Sequence, residues 1–146
     1  MSPISHILVP VDFDQTSEHA LDYALALAKP THAKVTAMHV YGLAVLNALD
    51  AEYIPSAGRA SQLTDEAQQR LEALLTTRRG HGVELTGELR IGSAAEEIVS
   101  RAKELGADLI VIGKHTRGML ERALLGSVAN QVIRGTDIPV LTVRST

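Results

Sequence analysis

Two short runs, HILVPV at residues 6–11 and ADLIVIG at residues 107–113, constrain this chain more than any other feature. Neither alternates apolar with polar residues. A strand that is apolar at every position is covered on both faces, and such strands belong to parallel sheets sandwiched between helices. The intervening segments change to a helical period. Ala20, Leu21, Ala24, Leu25 and Ala28 share one face of a helix over residues 16–29, where Thr16 or Ser17 can cap the first turn and Pro30 stops it. Leu63, Ala67, Leu71, Leu74 and Leu75 mark a second helix that ends near Gly80 and Gly82. Further helices are expected from Ala94 to Leu105 and from Ser127 to Arg134, with Gly135 as the stop. Between the first two helices, KVTAMHVY (34–41) reads as a strand and residues 42–60 as a long loop without a firm period.

Strands separated by helices imply parallel pairing through right-handed crossovers, hence a single α/β domain spanning residues 1–146. Burial orders the strands. The two unbroken runs, first and fourth, belong in the middle. The third, from Val83 to Ile91, sets Val83, Leu85, Leu89 and Ile91 against Glu84, Thr86, Glu88 and Arg90, the pattern of an edge strand wetted on one side. The fifth, IPVLTV (138–143), carries Pro139, which donates nothing to a ladder and also favours an edge. The consistent order is 3-2-1-4-5, with helices on both faces. Its topological switch point lies between strands one and four, where ligands of open α/β sheets settle at the carboxyl ends.

Composition removes several function classes. A formal charge of −3 and a pI near 6.0 give no basic face for nucleic acid. The absence of cysteine excludes disulfides, thiol catalysis and the common structural zinc sites. Nothing approaches the roughly 20 apolar residues of a membrane span, so a cytoplasmic address is expected, with no membrane partner. His6, His19, His32, His39 and His81 show no metal-ligand spacing and are read as surface or strand-end residues. Glu96 and Glu97 complement a helix dipole. No nucleophile–base arrangement is visible, so the chain reads as a binder rather than an enzyme.

Two segments fall at the switch point. Asp12 directly follows the first strand, and it is either a turn aspartate or a carboxylate for ribose hydroxyls. The G-x-G-x-x-G and G-x-x-x-x-G-K-[ST] fingerprints are missing. Gly113 lets the backbone turn or approach a ligand, and Gly126-Ser127-Val128 opens a helix whose N–H groups favour an anion. Lys114, His115 and Arg117 add positive charge between them. The plainer alternative is that Ser127 simply caps a helix.

The stretches ILVPVDFDQTSEHALDYALALA, HVY, IGSAAEEIVSRAKELGADLIVIG and GSVANQVIRGTDIPVLTV together resemble the universal stress protein family over essentially the whole chain. Nucleotide-binding members carry Gly, two residues, Gly, nine residues, then Gly and Ser or Thr. Gly113, Gly126 and Ser127 match three of those positions. The resemblance implies a Rossmann-like (adenine nucleotide alpha hydrolase-like) domain that binds ATP or AMP, with magnesium accompanying ATP, and takes part in the stress response. It also implies a homodimer joined through the last strand, and an edge strand in search of a partner fits that dimer.

By position, the resemblance gives Asp12 the ribose, Pro10 and Val11 the adenine side, and Val40 the adenine ring through its backbone. Gly113 would pass the ribose, and His115 would flank the phosphates held by Gly126, Ser127 and Val128. Two positions depart from the pattern. Thr116 replaces the second glycine; it is strained if positive φ is needed there, or its hydroxyl donates to a phosphate if only closeness is needed. Asp14 stands where serine is commoner. The alternative function is a nucleotide-free interaction protein of the same family. An adenylating enzyme would need a Ser-Gly-Gly loop or a His-Ile-Gly-His run, and neither is present.

Overall fold

A computed structural model of the chain describes residues 3–42, 57–114 and 126–144. The strands are β1 (His6–Pro10), β2 (Lys34–Gly42), β3 (Leu85–Gly92), β4 (Leu109–Lys114) and β5 (Val140–Arg144). The helices are α1 (Gln15–Thr31), α2 (Ala57–Thr76), α3 (Ala94–Leu105) and α4 (Ser127–Gly135). All pairings are parallel and the sheet runs β3-β2-β1-β4-β5, the order expected from burial. Among the described residues, no helix is long and apolar enough to cross a membrane.

One core layer lies between the sheet and α1 with α2. It joins Ile7, Val9, Val35 and Val111 of the sheet to Leu21, Leu71 and Leu75 of the helices. The other lies under α3 and α4, where Leu8, Met38, Ile110 and Ile112 meet Ile98, Ala102, Ala129 and Val132. Alternate residues of β1 and β4 thus feed opposite layers, which accounts for their unbroken apolar sequence. The face of α1 against the sheet is a seam of Ala20, Ala24 and Ala28, each fully buried. With no side chain larger than a methyl group along that seam, the helix backbone packs close to the strands.

Three local expectations are corrected. The N-cap of α1 is Asp14, two or three residues upstream of Thr16 and Ser17; its carboxylate accepts the Ser17 N–H at 2.8 Å. Pro30 does not stop α1, which runs through it to Thr31. A proline near the C-terminal end removes one late hydrogen bond without interrupting the body of the helix. The chain turns at His32, held left-handed at φ 56°, whose N–H reaches the carbonyls of Ala28 and Lys29. Thirdly, the polar side of β3 is not open to water along its length. Glu88 makes a two-pronged pair with Arg101 of α3 at 2.7 and 2.9 Å, and Arg90 pairs with Glu97 at 3.3 Å. The apolar side fades instead, with Ile91 52% exposed. Long charged side chains on α3 cover the strand, so the alternation marks ion pairing as well as solvent.

The opposite ends of the strands are pinned. The Asp108 carboxylate accepts from the Ser5 N–H, the Ser5 hydroxyl and the His6 N–H, at 2.8, 2.8 and 3.0 Å. These bonds, the Ser5 backbone donor foremost, hold its pKa below the usual aspartate range. The anchor lies at the end of the sheet away from the switch point.

Candidate functional site

A crevice opens at the carboxyl ends of β1, β2 and β4. Pro10, Val11 and Asp12 enter it from β1, Met38, His39 and Val40 from β2, and Ile112 and Gly113 from β4. Ala94 and Ile98 of α3 close one side; Asp14, Thr16 and Ser17 at the start of α1 close the other. Five of the residues singled out from sequence, Pro10, Val11, Asp12, Val40 and Gly113, therefore share one cavity.

Asp12 is a turn aspartate that also lies on the crevice wall. Its Oδ1 accepts the Asp14 N–H at 3.1 Å, as a turn aspartate does, while the residue stays exposed on the crevice wall. The Asp12 N–H donates to Ser17 Oγ at 3.2 Å, and that hydroxyl donates to the Asp14 carbonyl at 3.1 Å. Between the two aspartates Phe13 is left-handed, at φ 67°. A bulky residue rarely adopts that conformation, and its cost is met by surrounding contacts. The ring packs 4.5 Å from the His39 imidazole, and the Arg70 guanidinium sits 4.5 Å from its centroid on α2.

The end of the β1–β2 ladder shapes the crevice most directly. Lys34 N–H bonds to Ser5, and Val11 N–H bonds to the Met38 carbonyl at 2.8 Å, whereas Val35 N–H bonds to Glu84 on the other flank. Even-numbered residues of β2 thus turn their main-chain groups toward β1, odd-numbered ones toward β3. The register ends at Pro10 opposite Met38. The next rung would run from the Val40 N–H to the Val11 carbonyl. That carbonyl is engaged by His39 Nδ1 at 2.7 Å instead. The Val40 main chain consequently points into the space where β1 has left the sheet.

Gly113 has a packing task beside its place in the crevice. A Cβ there would lie 2.9 Å from Thr16 Cγ2 and 3.1 Å from the Thr16 carbonyl carbon and oxygen. The glycine admits the first turn of α1 against β4, so helix–strand packing accounts for it without any ligand. Gly126 is the N-cap of α4, with no side-chain cap, and its carbonyl accepts the Asn130 N–H at 3.1 Å. Ser127 and Val128 are exposed in the first turn, where N–H groups lack helical partners. None of Gly126, Ser127 and Val128 lines the crevice wall. His115, Thr116 and Arg117 lie outside the described residues, as do residues 43–56 of the expected long loop; residues 57–60 of that loop begin α2 instead.

The crevice residue that sequence reasoning missed is His39, read as a surface or strand-end histidine. A signal was present. His39 shares its strand face with Val35 and Ala37, which are fully buried, so a polar ring there required a partner inside the protein. Among the described residues, no group of three or more histidines and carboxylates is placed to hold a metal.

The universal stress protein family is matched over residues 3–144. The chain belongs to this family. Universal stress protein MJ0531 of Methanocaldococcus jannaschii is 37% identical over 94% of this chain and 81% of its own. The solved structure of MJ0577, a universal stress protein from the same organism, superposes with a TM-score of 0.84 at 30% identity, covering 99% of both chains. A universal stress protein from Archaeoglobus fulgidus, solved in complex with dAMP, superposes with a TM-score of 0.70 at 26% identity over 97% of this chain and 99% of that one. In this universal stress protein, the crevice at the switch point is the place to look for a ligand.

Proposed function

We propose that this universal stress protein binds an adenine nucleotide, ATP or AMP, in the crevice between β1 and β4. The observation that carries the reading is the meeting of the Asp12 carboxylate and the outward-turned Val40 main chain in one largely apolar cleft. A carboxylate suits ribose hydroxyls, and a strand edge released from its ladder offers a heteroaromatic base a donor and an acceptor side by side. The first turn of α4, at Gly126, Ser127 and Val128, supplies N–H groups for the phosphates, with His115, Thr116 and Arg117 on the connecting loop; magnesium accompanies ATP. A relative of the same fold in complex with dAMP supports the choice of nucleotide. Binding biases partner recognition in a cytoplasmic stress response, hydrolysis is slow or absent, and two copies join through residues 138–143.

Titration calorimetry with ATP and AMP tests this. Binding is expected, and none at millimolar concentration overturns the reading. Asp12→Asn keeps an oxygen for the Asp14 N–H but removes the charge, so affinity should fall by roughly tenfold. The second reading, a nucleotide-free interaction protein, is favoured by Thr116 in place of the signature glycine. It predicts that the purified protein carries no nucleotide.

A further inference from the structure

We infer that His39 is a positioning residue of this crevice: by holding the Val11 carbonyl, its ring keeps the β1–β2 ladder from closing at Val40. The inference rests on the nucleotide reading for its consequence and on the ladder geometry for its substance. Parallel strands in register continue to pair for as long as donors meet acceptors. Here the register stops at Pro10 opposite Met38, although the Val11 N–H is still bonded to the Met38 carbonyl of β2. A carbonyl only accepts, so the proton of the 2.7 Å contact is carried by His39 Nδ1. Because a carbonyl oxygen can accept two hydrogen bonds, the imidazole acts by drawing the Val11 carbonyl toward its ring and out of line with the Val40 N–H.

The ring is fixed for this role from two sides. Phe13 lies 4.5 Å away, tilted by 41°, and Tyr41 meets it edge-on at 5.5 Å. Tyr41 is tethered in turn by its hydroxyl, which donates to the Leu63 carbonyl on α2. The same ring thus braces the left-handed Phe13 and leaves the Val40 N–H and C=O turned toward a ligand. A core histidine satisfied by a carbonyl would do neither. What distinguishes the two is the state of the Val40 amide.

Two kinds of substitution separate donor from ring. His39→Phe keeps the aromatic contacts and removes the donor. His39→Asn places an amide N–H where Nδ1 was and removes the ring. In the unliganded full-length protein, hydrogen exchange at the Val40 amide is expected to slow in His39→Phe by at least about tenfold, because that amide captures the released Val11 carbonyl. ATP affinity should fall by a comparable factor. His39→Asn is expected to return both quantities to within about threefold of the parent. His39→Leu, a donorless variant without a bulky ring, should match His39→Phe. Unchanged Val40 exchange in His39→Phe and His39→Leu, or a His39→Asn variant that behaves like them, overturns the inference. Should the parent protein bind no ATP, the proposed function fails, while the exchange comparison still decides the role of His39.

Discussion

Gly113 illustrates how one residue type carries two explanations that only contacts separate. Its backbone is not left-handed, and an added methyl group would press on both the Cγ2 methyl and the main chain of Thr16. Gly113→Ala is therefore expected to lower stability by about 1–3 kcal/mol, read from urea unfolding, as α1 is pushed off β4. The sequence pointed to Gly113 through a family signature and assigned it to the ribose; the packing reason was hidden because nothing in the pattern states how near α1 runs. Asp12 was legible, since a carboxylate directly after a buried strand has few places to go. His39 was not, because a side chain that takes over a ladder carbonyl leaves no periodic trace.

At the scale of elements, the ends of α1 and α3 form a natural pair. Both close with the same bonds. His32 reaches Lys29 and Ala33 reaches Ala28; Gly106 reaches Lys103 and Ala107 reaches Ala102. The left-handed position is a histidine in one and a glycine in the other, at φ 56° and 65°. His32→Gly is expected to raise stability by roughly 0.5–1 kcal/mol, and Gly106→Ala to lower it by about 1 kcal/mol, both read from thermal or urea midpoints. Neighbours play no part in the second, since nothing lies within 4 Å of the added methyl position. The end of α3 falls at Leu105, as read from sequence, with Gly106 as its left-handed cap. Histidine concealed the end of α1, and Pro30 suggested a boundary that the actual turn overran. The wetted face assigned to β3 failed for a similar reason: alternation reports polarity, and Arg101 and Glu97 show that polarity can be met by a helix.

For the whole molecule, strand order was the most legible property. Unbroken apolar runs can only be central, and Pro139 marked the far edge; it sits just before β5, where its carbonyl accepts the Ile110 N–H. That bond also fixes which way β5 faces. Odd-numbered residues of β5 turn to β4, so the N–H groups of Val140, Thr142 and Arg144 point away from the sheet. If two copies pair along this edge, Thr142→Pro removes one outward donor and leaves the ladder to β4 intact. The variant should fold with unchanged helical content yet dissociate at about tenfold or more higher concentration in sedimentation, given the worth of a lost interfacial hydrogen bond. A parent protein that sediments as a monomer sinks the dimer.

The tied first turn of α1 limits how this crevice could be reshaped. On that flank Asp14 and Ser17 hold the helix start through their side chains and Thr16 packs against Gly113, so truncation there would loosen α1 rather than simply yield room. Space for a bulkier base must come from the opposite wall, where Ile98 is the large group at hand. Shortening it to alanine would widen the cleft at a cost of about 2–5 kcal/mol. Any broadening of ligand range in this scaffold is thus one-sided, and it draws directly on the stability of the layer under α3.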